Sequence, residues 1–352
     1  MNDHGSALNP TIPGQQAAVA AVKTIGSNLE VETVQDESVD KTTNSNNNKK
    51  FSMIALDLDG TLLQSNHRMA DVQAEYLRRL YLEDGIRICI ATGRAPHSVY
   101  EHVQQLALPD PVPVVCSNGA RGFLLSFHYD GNDNNNNLQR LQEIFYTPVD
   151  RHVVETTIQL AKKMGYCVQY YLEDVVYANP IDDEHRQLLK VYESITDCQI
   201  QEVKDDFASL IASGGLPSKM LVRFRDNGLQ EAFRAFSDAF CSTETPLATI
   251  IQGFIPRADW FLEILHPGVN KGNGLRTMCE ELTISLDEVV AMGDGTNDIE
   301  FLSMAGWGVA MKNAQPSLKK VADATMEWTN DEHGVIKTIE KLRKEGRLLV
   351  SK

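Results

Sequence analysis

Short apolar runs alternate with segments of helical period from Phe51 onward, and this alternation is the strongest constraint on the fold. The first three runs are Ser52–Leu56, Ile86–Ala91 and Val112–Cys116. Between them, apolar side chains recur every three or four residues, and Gly85 is placed to end the first helix. Nearly continuous apolar strands separated by helices predict a parallel sheet that is covered on both faces.

The same alternation returns near the end of the sequence. Lys271–Leu282 and Asn297–Met304 have helical periodicity, whereas Val289–Met292 and Trp307–Met311 are apolar runs. We therefore predict an α/β protein whose Rossmann-like parallel sheet is built from both ends of the sequence. We assign residues 51–147 and 259–352 to this core.

A second α/β domain is predicted between these two parts, over residues 148–258. It begins with a helix that carries Val153 and Ile158. Four strand-like runs follow, with Glu173 and Asp174 as the turn between the first two. The runs are Tyr166–Leu172, Val175–Asn179, Met220–Phe224 and Ala248–Phe254.

Two polar segments are expected to lie outside these domains. Residues 1–50 have no aromatic side chain and end in an asparagine-rich tract, so we predict a disordered tail. The tail lacks the arginines of a mitochondrial transit peptide and a long apolar signal segment, and we expect a cytoplasmic protein. A second asparagine tract, Asp133–Asn137, is interpreted as an inserted surface loop.

Composition excludes several classes of partner. The net charge of −15 and the isoelectric point near 5.0 argue against nucleic-acid and acidic-membrane partners, which require a basic face. No apolar run approaches the roughly 20 residues of a membrane-spanning helix. The six cysteines are scattered without a CxxC pair, which favours buried thiols over disulfides or a zinc site.

Two acidic clusters follow predicted strands. Asp57–Thr61 (DLDGT) comes directly after the first strand, and Asp294–Asp298 (DGTND) follows Val289–Met292. Ligands of parallel α/β sheets bind at the carboxyl ends of strands, so four carboxylates are expected to converge there. Mg²⁺ would neutralise such a cluster through oxygen ligands, and Lys271 could add a positive charge.

These residues supply the parts that phosphoryl transfer requires. Asp57 could attack phosphorus and form an aspartyl-phosphate, and Asp59 could protonate the leaving oxygen and then activate water. Taken alone, the first cluster is usually a solvated turn or a helix cap, and the second is usually a structural turn. An EF-hand is disfavoured because glycine stands at the fourth position and Arg68 at the twelfth, and neither cluster has the GxGxxG pattern of a dinucleotide site.

As a set, the motifs resemble those of the haloacid dehalogenase superfamily. Asp57–Thr61 resembles the first motif and Thr92–Arg94 (TGR) the second. Lys271 resembles the lysine of the third, and Gly293–Asp298 (GDGTND) the fourth. The SNGA segment that begins at Ser117 and the NDEHGV segment that begins at Asn330 resemble the Cof-type (subclass IIB) branch, which carries an α/β cap between the second and third motifs.

The resemblance implies a role for each matching residue. Asp57 would be the nucleophile and a metal ligand, and Asp59 the acid/base, binding the metal through its main-chain carbonyl. Asp294 would bind Mg²⁺, and Asp298 would support the metal or orient Lys271. The residues expected to bind phosphate or substrate are Thr92, Gly93, Arg94, Asn118, Lys271 and Asn297. Lys312 departs from the glycine common in the family, which places an extra cation near the rim of the site.

Other side chains favour structural interpretations. Cys89 is expected in the core, and His97, His102 and His128 lack the spacing of metal ligands. Glu263 alternates with apolar residues, which is typical of the solvated face of a strand. The cap tyrosines are expected mainly to pack, although they could line a pocket. They are Tyr166, Tyr170 and Tyr171.

The predicted function is Mg²⁺-dependent hydrolysis of phosphate monoesters of small metabolites, such as sugar phosphates or phosphorylated cofactors. A phosphotransferase or mutase resembling phosphomannomutase is the alternative, because the motifs do not separate transfer to water from transfer to a hydroxyl. A binding protein that has kept the fold is a third possibility, disfavoured because Asp57, Asp59 and Asp294 are all present.

Overall fold

The computed structural model describes residues 49–127, 138–196, 198–224, 228–255 and 259–349. All of them belong to one unit, Ser38–Lys352. The predicted disordered tail lies outside the described residues except for its last two positions, and so does the Asp133–Asn137 tract.

Fourteen strands and ten α-helices form the described part of the chain. The strands are β1 (Met53–Leu56), β2 (Arg87–Ala91), β3 (Val112–Cys116), β4 (Arg121–Phe127), β5 (Leu138–Tyr146), β6 (Cys167–Leu172), β7 (Val175–Ala178), β8 (Ile200–Glu202), β9 (Lys219–Arg223), β10 (Thr249–Ile255), β11 (Asp259–Leu265), β12 (Val289–Gly293), β13 (Trp307–Ala310) and β14 (Ala324–Thr325). The helices are α1 (Asp71–Asp84), α2 (Tyr100–Leu106), α3 (Arg151–Met164), α4 (Asp183–Thr196), α5 (Ala208–Ala212), α6 (Leu229–Phe240), α7 (Lys271–Leu282), α8 (Ile299–Met304), α9 (Pro316–Val321) and α10 (Gly334–Lys344).

The first sheet has eight strands in the order β14-β13-β12-β1-β2-β3-β4-β5. The six from β14 to β3 are parallel, so the predicted parallel sheet built from both ends of the sequence is confirmed. β4 and β5 extend it as an antiparallel hairpin, which the sequence did not predict. Gly85 ends α1 in the left-handed conformation, at φ 72°, as expected.

Helices cover both faces of this sheet, which explains its continuous apolar strands. In β1, Ile54 and Leu56 pack in the cluster that contains Leu77 of α1 and Ile339 of α10. The intervening β1 side chains face the cluster of α7 and α8. Burial on both faces removes the alternation of polar residues that a half-exposed strand would show.

The second sheet has six strands in the order β10-β11-β9-β6-β7-β8, and all neighbours are antiparallel except the β7–β8 pair. Its elements come between β5 and α7 along the chain. The predicted division placed residues 259–265 in the core, whereas β11 pairs with β9 and β10 of the second sheet. The pairing of β11 is decided by a neighbouring strand some 40 residues earlier, which local periodicity does not reveal.

The two faces of the second sheet have different neighbours. One face packs with α3 and α6 in a cluster that contains Val168, Val222 and Phe236. The other carries Leu221 and packs against Ala95 of the segment that follows β2. The second sheet therefore lies over the loops that follow the strands of the first.

The six cysteines are free thiols, as their scattered positions predict. Five of them are buried, and Cys241 is partly exposed. In the part of the chain that the structure describes, no helix has both the length and the apolar character needed to cross a membrane.

Candidate active site

Adjacent parallel strands bring the two acidic clusters together. β1 and β12 pair in register Leu56↔Met292, and the backbone nitrogen of Asp57 donates to the carbonyl of Met292 at 3.0 Å. One carboxylate oxygen each from Asp57, Asp294 and Asp298 lies within 4.8 Å of the others. Three of the four carboxylates predicted to converge at the carboxyl end of the sheet therefore do so, and the fourth, that of Asp59, is not part of this group.

Gly60 allows the two clusters to approach. Its φ is +76°, and a Cβ at this position would lie 2.3 Å from Oδ2 of Asp294. The neighbouring hydroxyl of Thr61 donates to Oδ1 of Asp294 at 3.3 Å. A larger residue in place of Gly60 would be strained and would displace the Asp294 carboxylate.

Lys271 is the buried cation of the cluster. It begins α7, is 1% exposed, and its Nζ lies 2.5 Å from Oδ1 of Asp57 and 2.7 Å from Oδ1 of Asp298. Burial alone would lower the pKa of Lys271, but Asp298 and Asp57 together raise it. The other oxygen of Asp298 accepts from the backbone nitrogens of Asp294 and Gly295, so both oxygens of this carboxylate have partners.

The donor set fits a hard divalent cation. Three carboxylates face a single ammonium, and burial raises the pKa of Asp57 well above its usual range against the opposing effect of Lys271. Burial and the Asp298 carboxylate raise the pKa of Asp294 to about 7. These pKa shifts reflect the free-energy cost of holding like charges close together. A divalent cation bound by the carboxylate oxygens would offset that cost.

Asp59 has different neighbours. Its carboxylate accepts from Nε and Nη2 of Arg94 at 2.7 and 2.6 Å, and it contacts Nδ1 of His67 at 3.1 Å. Burial acts to raise the pKa of Asp59, but the bonds to His67 and Arg94 lower it below its usual range. Arg94, predicted to bind substrate, therefore pairs with the proposed acid/base, and sequence reasoning did not identify His67 at all.

The loops after β2 and β3 meet beside this cluster. Thr92 follows β2, and the backbone nitrogen of Asn118 donates to the carbonyl of Thr92 at 3.1 Å. The side-chain oxygen of Asn118 accepts from Nδ2 of Asn297 at 2.9 Å. A Cβ at Gly93 would lie 3.0 Å from the same Asn118 oxygen, so these predicted contacts form one group.

Glu263 does not lie on a solvated strand face, and this expectation was wrong. It is 4% exposed, and its Oε1 lies 2.6 Å from Nζ of Lys219 on the adjacent strand β9. Its other oxygen accepts from Nδ2 of Asn118 at 2.7 Å. Glu263 shares its strand face with Phe261, and core loop residues that include Ala95 and Asn118 cover that face. No sequence pattern indicated a role for Lys219.

A cavity of about 390 Å³ separates the two sheets. On the core side it reaches Asp57, Asp59 and Asp294, and on the side of the second sheet most of its lining is apolar or aromatic. The latter residues include Tyr171, Tyr192, Leu221, Ile251 and Phe261.

The remaining expectations have mixed outcomes. Cys89 is fully buried in the core. Tyr166, Tyr170 and Tyr171 are all buried, and Tyr171 also lines the cavity. Among the described residues, the potential metal-binding group includes neither His97 nor His102, and His128 lies outside the described part of the chain. Lys312 is half-exposed and lies 3.8 Å from Glu332.

Comparison with known proteins agrees with this geometry. Residues 54–339 match the family model of haloacid dehalogenase-like hydrolases. The chain belongs to this family. Together with its phosphatase relatives, the match confirms the predicted resemblance, and the chain is a phosphatase of the haloacid dehalogenase superfamily, Cof-type.

Relatives and solved structures cover most of this phosphatase. It is 28% identical to the 5-amino-6-(5-phospho-D-ribitylamino)uracil phosphatase YitU of Bacillus subtilis, over 82% of this chain and 96% of that one. It is 26% identical to a protein of Arabidopsis thaliana named chloroplastic endoribonuclease YBEY, over 82% of this chain but only 46% of that longer protein. The subclass IIB sugar phosphatase BT4131 shares its fold, with a TM-score of 0.61 at 21% identity over 83% of this chain and 99% of that one.

Proposed function

We propose that this phosphatase hydrolyses phosphate monoesters of small metabolites with Mg²⁺ and an aspartyl-phosphate on Asp57. The observation that carries the proposal is the buried Asp57 carboxylate, which faces the 390 Å³ cavity with Lys271 on one side and Asp294 on the other. A nucleophile, a fixed cation and a carboxylate site for a divalent cation are the parts that phosphoryl transfer requires.

Asp57 and Asp294, with the main-chain carbonyl of Asp59, would hold Mg²⁺, and Asp298 would support the site by fixing Lys271. The ion would supply positive charge to the phosphate oxygens and to the cluster of acids. Thr92, Gly93, Asn118 and Asn297 are proposed to surround the phosphate, because they meet next to Asp57.

In the proposed reaction, an Asp57 oxygen attacks phosphorus in line with the ester bond. The bond between phosphorus and the ester oxygen breaks, and Asp59 gives its proton to that oxygen. Asp59 then takes a proton from water, and the water oxygen attacks the aspartyl-phosphate to release inorganic phosphate and restore Asp57. Arg94 binds both Asp59 oxygens in the structure, so Asp59 must leave Arg94 to take up this proton.

We infer that the second sheet and its helices form a substrate-specificity cap, residues 148–265, on a core formed by 51–147 and 266–352. This division follows the sheet pairing and differs from the sequence-based one in the position of β11. The cap supplies the mostly apolar part of the cavity, where the leaving group would lie. Sugar phosphates and phosphorylated cofactors are the substrate classes that we propose, and the activity named for YitU adds a phosphorylated ribitylamino-uracil to the set for testing.

The test is turnover of p-nitrophenyl phosphate with Mg²⁺, followed by a panel of these three classes. Turnover should disappear with EDTA and in Asp57→Asn, whereas Asp287→Asn, whose side chain is 78% exposed, should keep wild-type turnover. One phosphate released per alcohol supports hydrolysis. Phosphate found on an added sugar instead would indicate the phosphotransferase, and full turnover in Asp57→Asn would refute the assigned nucleophile.

A further inference from the structure

Lys219 and Glu263 of the second sheet form a buried ion pair that faces the core. Lys219 of β9 and Glu263 of β11 lie on adjacent strands, and their side chains are 6% and 5% exposed. Burial alone would lower the pKa of Lys219, but the Glu263 carboxylate raises it, so the ammonium stays charged. Buried pairs of this kind contribute little to stability compared with apolar residues of similar size, and a role other than stability is therefore worth testing.

Both members of the pair also bind the core. Nζ of Lys219 donates to the carbonyl of Gly93 at 2.7 Å. Oε2 of Glu263 accepts from Nδ2 of Asn118 at 2.7 Å, and Oδ1 of Asn118 accepts from Nδ2 of Asn297 at 2.9 Å. The bond to Glu263 thus determines which end of the Asn118 amide faces Asn297.

The backbone around Asn118 needs such support. Ser117, Asn118 and Gly119 have φ values of +51°, +54° and +101°, three successive residues with positive φ. Only glycine adopts this region without cost, so a segment of this kind persists where surrounding contacts hold it in place. Two of these contacts are within the core, to the carbonyls of Arg94 and Thr92, and the contact through the Asn118 side chain comes from the second sheet.

We propose that Glu263 is a positioning residue, which acts through Asn118 to complete the phosphate-binding loops of the core when the second sheet is docked. Lys219 neutralises Glu263 and holds the Gly93 carbonyl. The inference rests on the proposed function and adds to it that a carboxylate of the second sheet contributes to the phosphate-transfer step itself, apart from any contact with the leaving group.

Two double variants that differ only in the acceptor for Asn118 provide the test. In Lys219→Met/Glu263→Gln the buried charges are removed together, and the amide oxygen of the introduced glutamine can still accept from Nδ2 of Asn118. In Lys219→Met/Glu263→Met the methionine at position 263 has nearly the same shape as glutamine but no oxygen to accept from Asn118. Turnover is measured with p-nitrophenyl phosphate, and thermal unfolding midpoints verify that both variants are folded.

We expect the kcat of the variant without the acceptor to be about tenfold or more below that of the variant that keeps it, because small misplacements of catalytic groups have effects of this size. Both variants lose the bond from Lys219 to the Gly93 carbonyl, so that loss cancels in the comparison. Introducing Asn118→Ala should abolish the difference between the two variants, since both act through that side chain. A purely structural role would instead change the unfolding midpoints and leave the two kcat values alike.

Equal kcat values of the two double variants, whether high or both lost, would overturn the positioning role. A difference that persists in the Asn118→Ala background would also overturn it. Wild-type turnover that disappears in Asp57→Asn supports the proposed function in the same experiment. Failure of the positioning role is thereby distinguished from failure of the proposed function.

Discussion

Replacing Lys271 by methionine should destabilise the protein strongly. The ammonium is 1% exposed and lies 2.5 and 2.7 Å from the carboxylates of Asp57 and Asp298. Methionine fills a similar volume, so the change removes the charge with little loss of packing. Two buried acids would remain without their cation, and Asp294 lies close to both.

Removing one partner of a buried ion pair costs roughly 3–5 kcal/mol, because the charge that remains is neither solvated nor paired. The unfolding entropy of a folded chain of about 300 residues is about 0.6 kcal/mol/K, so each kcal/mol lowers the unfolding midpoint by about 1.5 °C, and Lys271→Met should lower it by about 4–8 °C. Asp298→Asn in the same variant removes one uncompensated charge and should recover part of the loss. Mg²⁺ should stabilise Lys271→Met more than the wild type, because it supplies positive charge at the same carboxylates.

Thermal unfolding followed by circular dichroism at pH 8, with EDTA or with Mg²⁺, measures these midpoints. The matched control is Lys312→Met, whose ammonium is 3.8 Å from Glu332 with its side chain 55% exposed, and which should change stability by only about 0–1 kcal/mol. If Lys271→Met lowered the midpoint no more than Lys312→Met does, Lys271 would not be the buried counter-charge described above.

Gly60→Ala should weaken Mg²⁺ binding by at least about tenfold, because the new Cβ displaces the Asp294 carboxylate. A titration of activity against Mg²⁺ measures this, and an unchanged Mg²⁺ dependence would contradict it. Tyr100→Phe removes a 2.8 Å hydrogen bond between α2 and Asp174 in the turn from β6 to β7, and it should cost roughly 1–3 kcal/mol in urea unfolding. An unchanged midpoint would show that water replaces this bond. Burial raises the pKa of all six thiols, so a disulfide reagent at pH 8 should modify the native protein slowly and Cys241 first. All six thiols should react after denaturation, whereas rapid reaction of several thiols in the native protein would refute their burial.

The core sheet and its acids were predictable because their signals are local. A strand buried on both faces is apolar throughout, and DLDGT and GDGTND directly follow two such strands. The rule that ligands gather at the carboxyl ends of parallel strands then places Asp57 near Asp294 without knowledge of the strand order. The assignment of Lys271 to the same end of the sheet follows from its position at the start of α7.

The features that were missed depend on contacts between distant parts of the chain. β11 pairs with β9 across some 40 residues, and Glu263 is buried because loops that follow strands of the first sheet cover its strand face. Arg94 lies beside Asp59 through the packing of two loops, for which the TGR segment gives no local sign. Periodicity reports which residues of a strand share a face, but it does not report what covers that face.

The contact between Asn118 and Glu263 has a consequence for domain exchange between related phosphatases. A chimera that takes the second sheet from one relative and the core from another would pair residue 118 of one parent with residues 219 and 263 of the other. These three positions lie far apart in sequence but share one set of hydrogen bonds. They should be transferred as a unit, because exchange of one side alone changes the partner of residue 118.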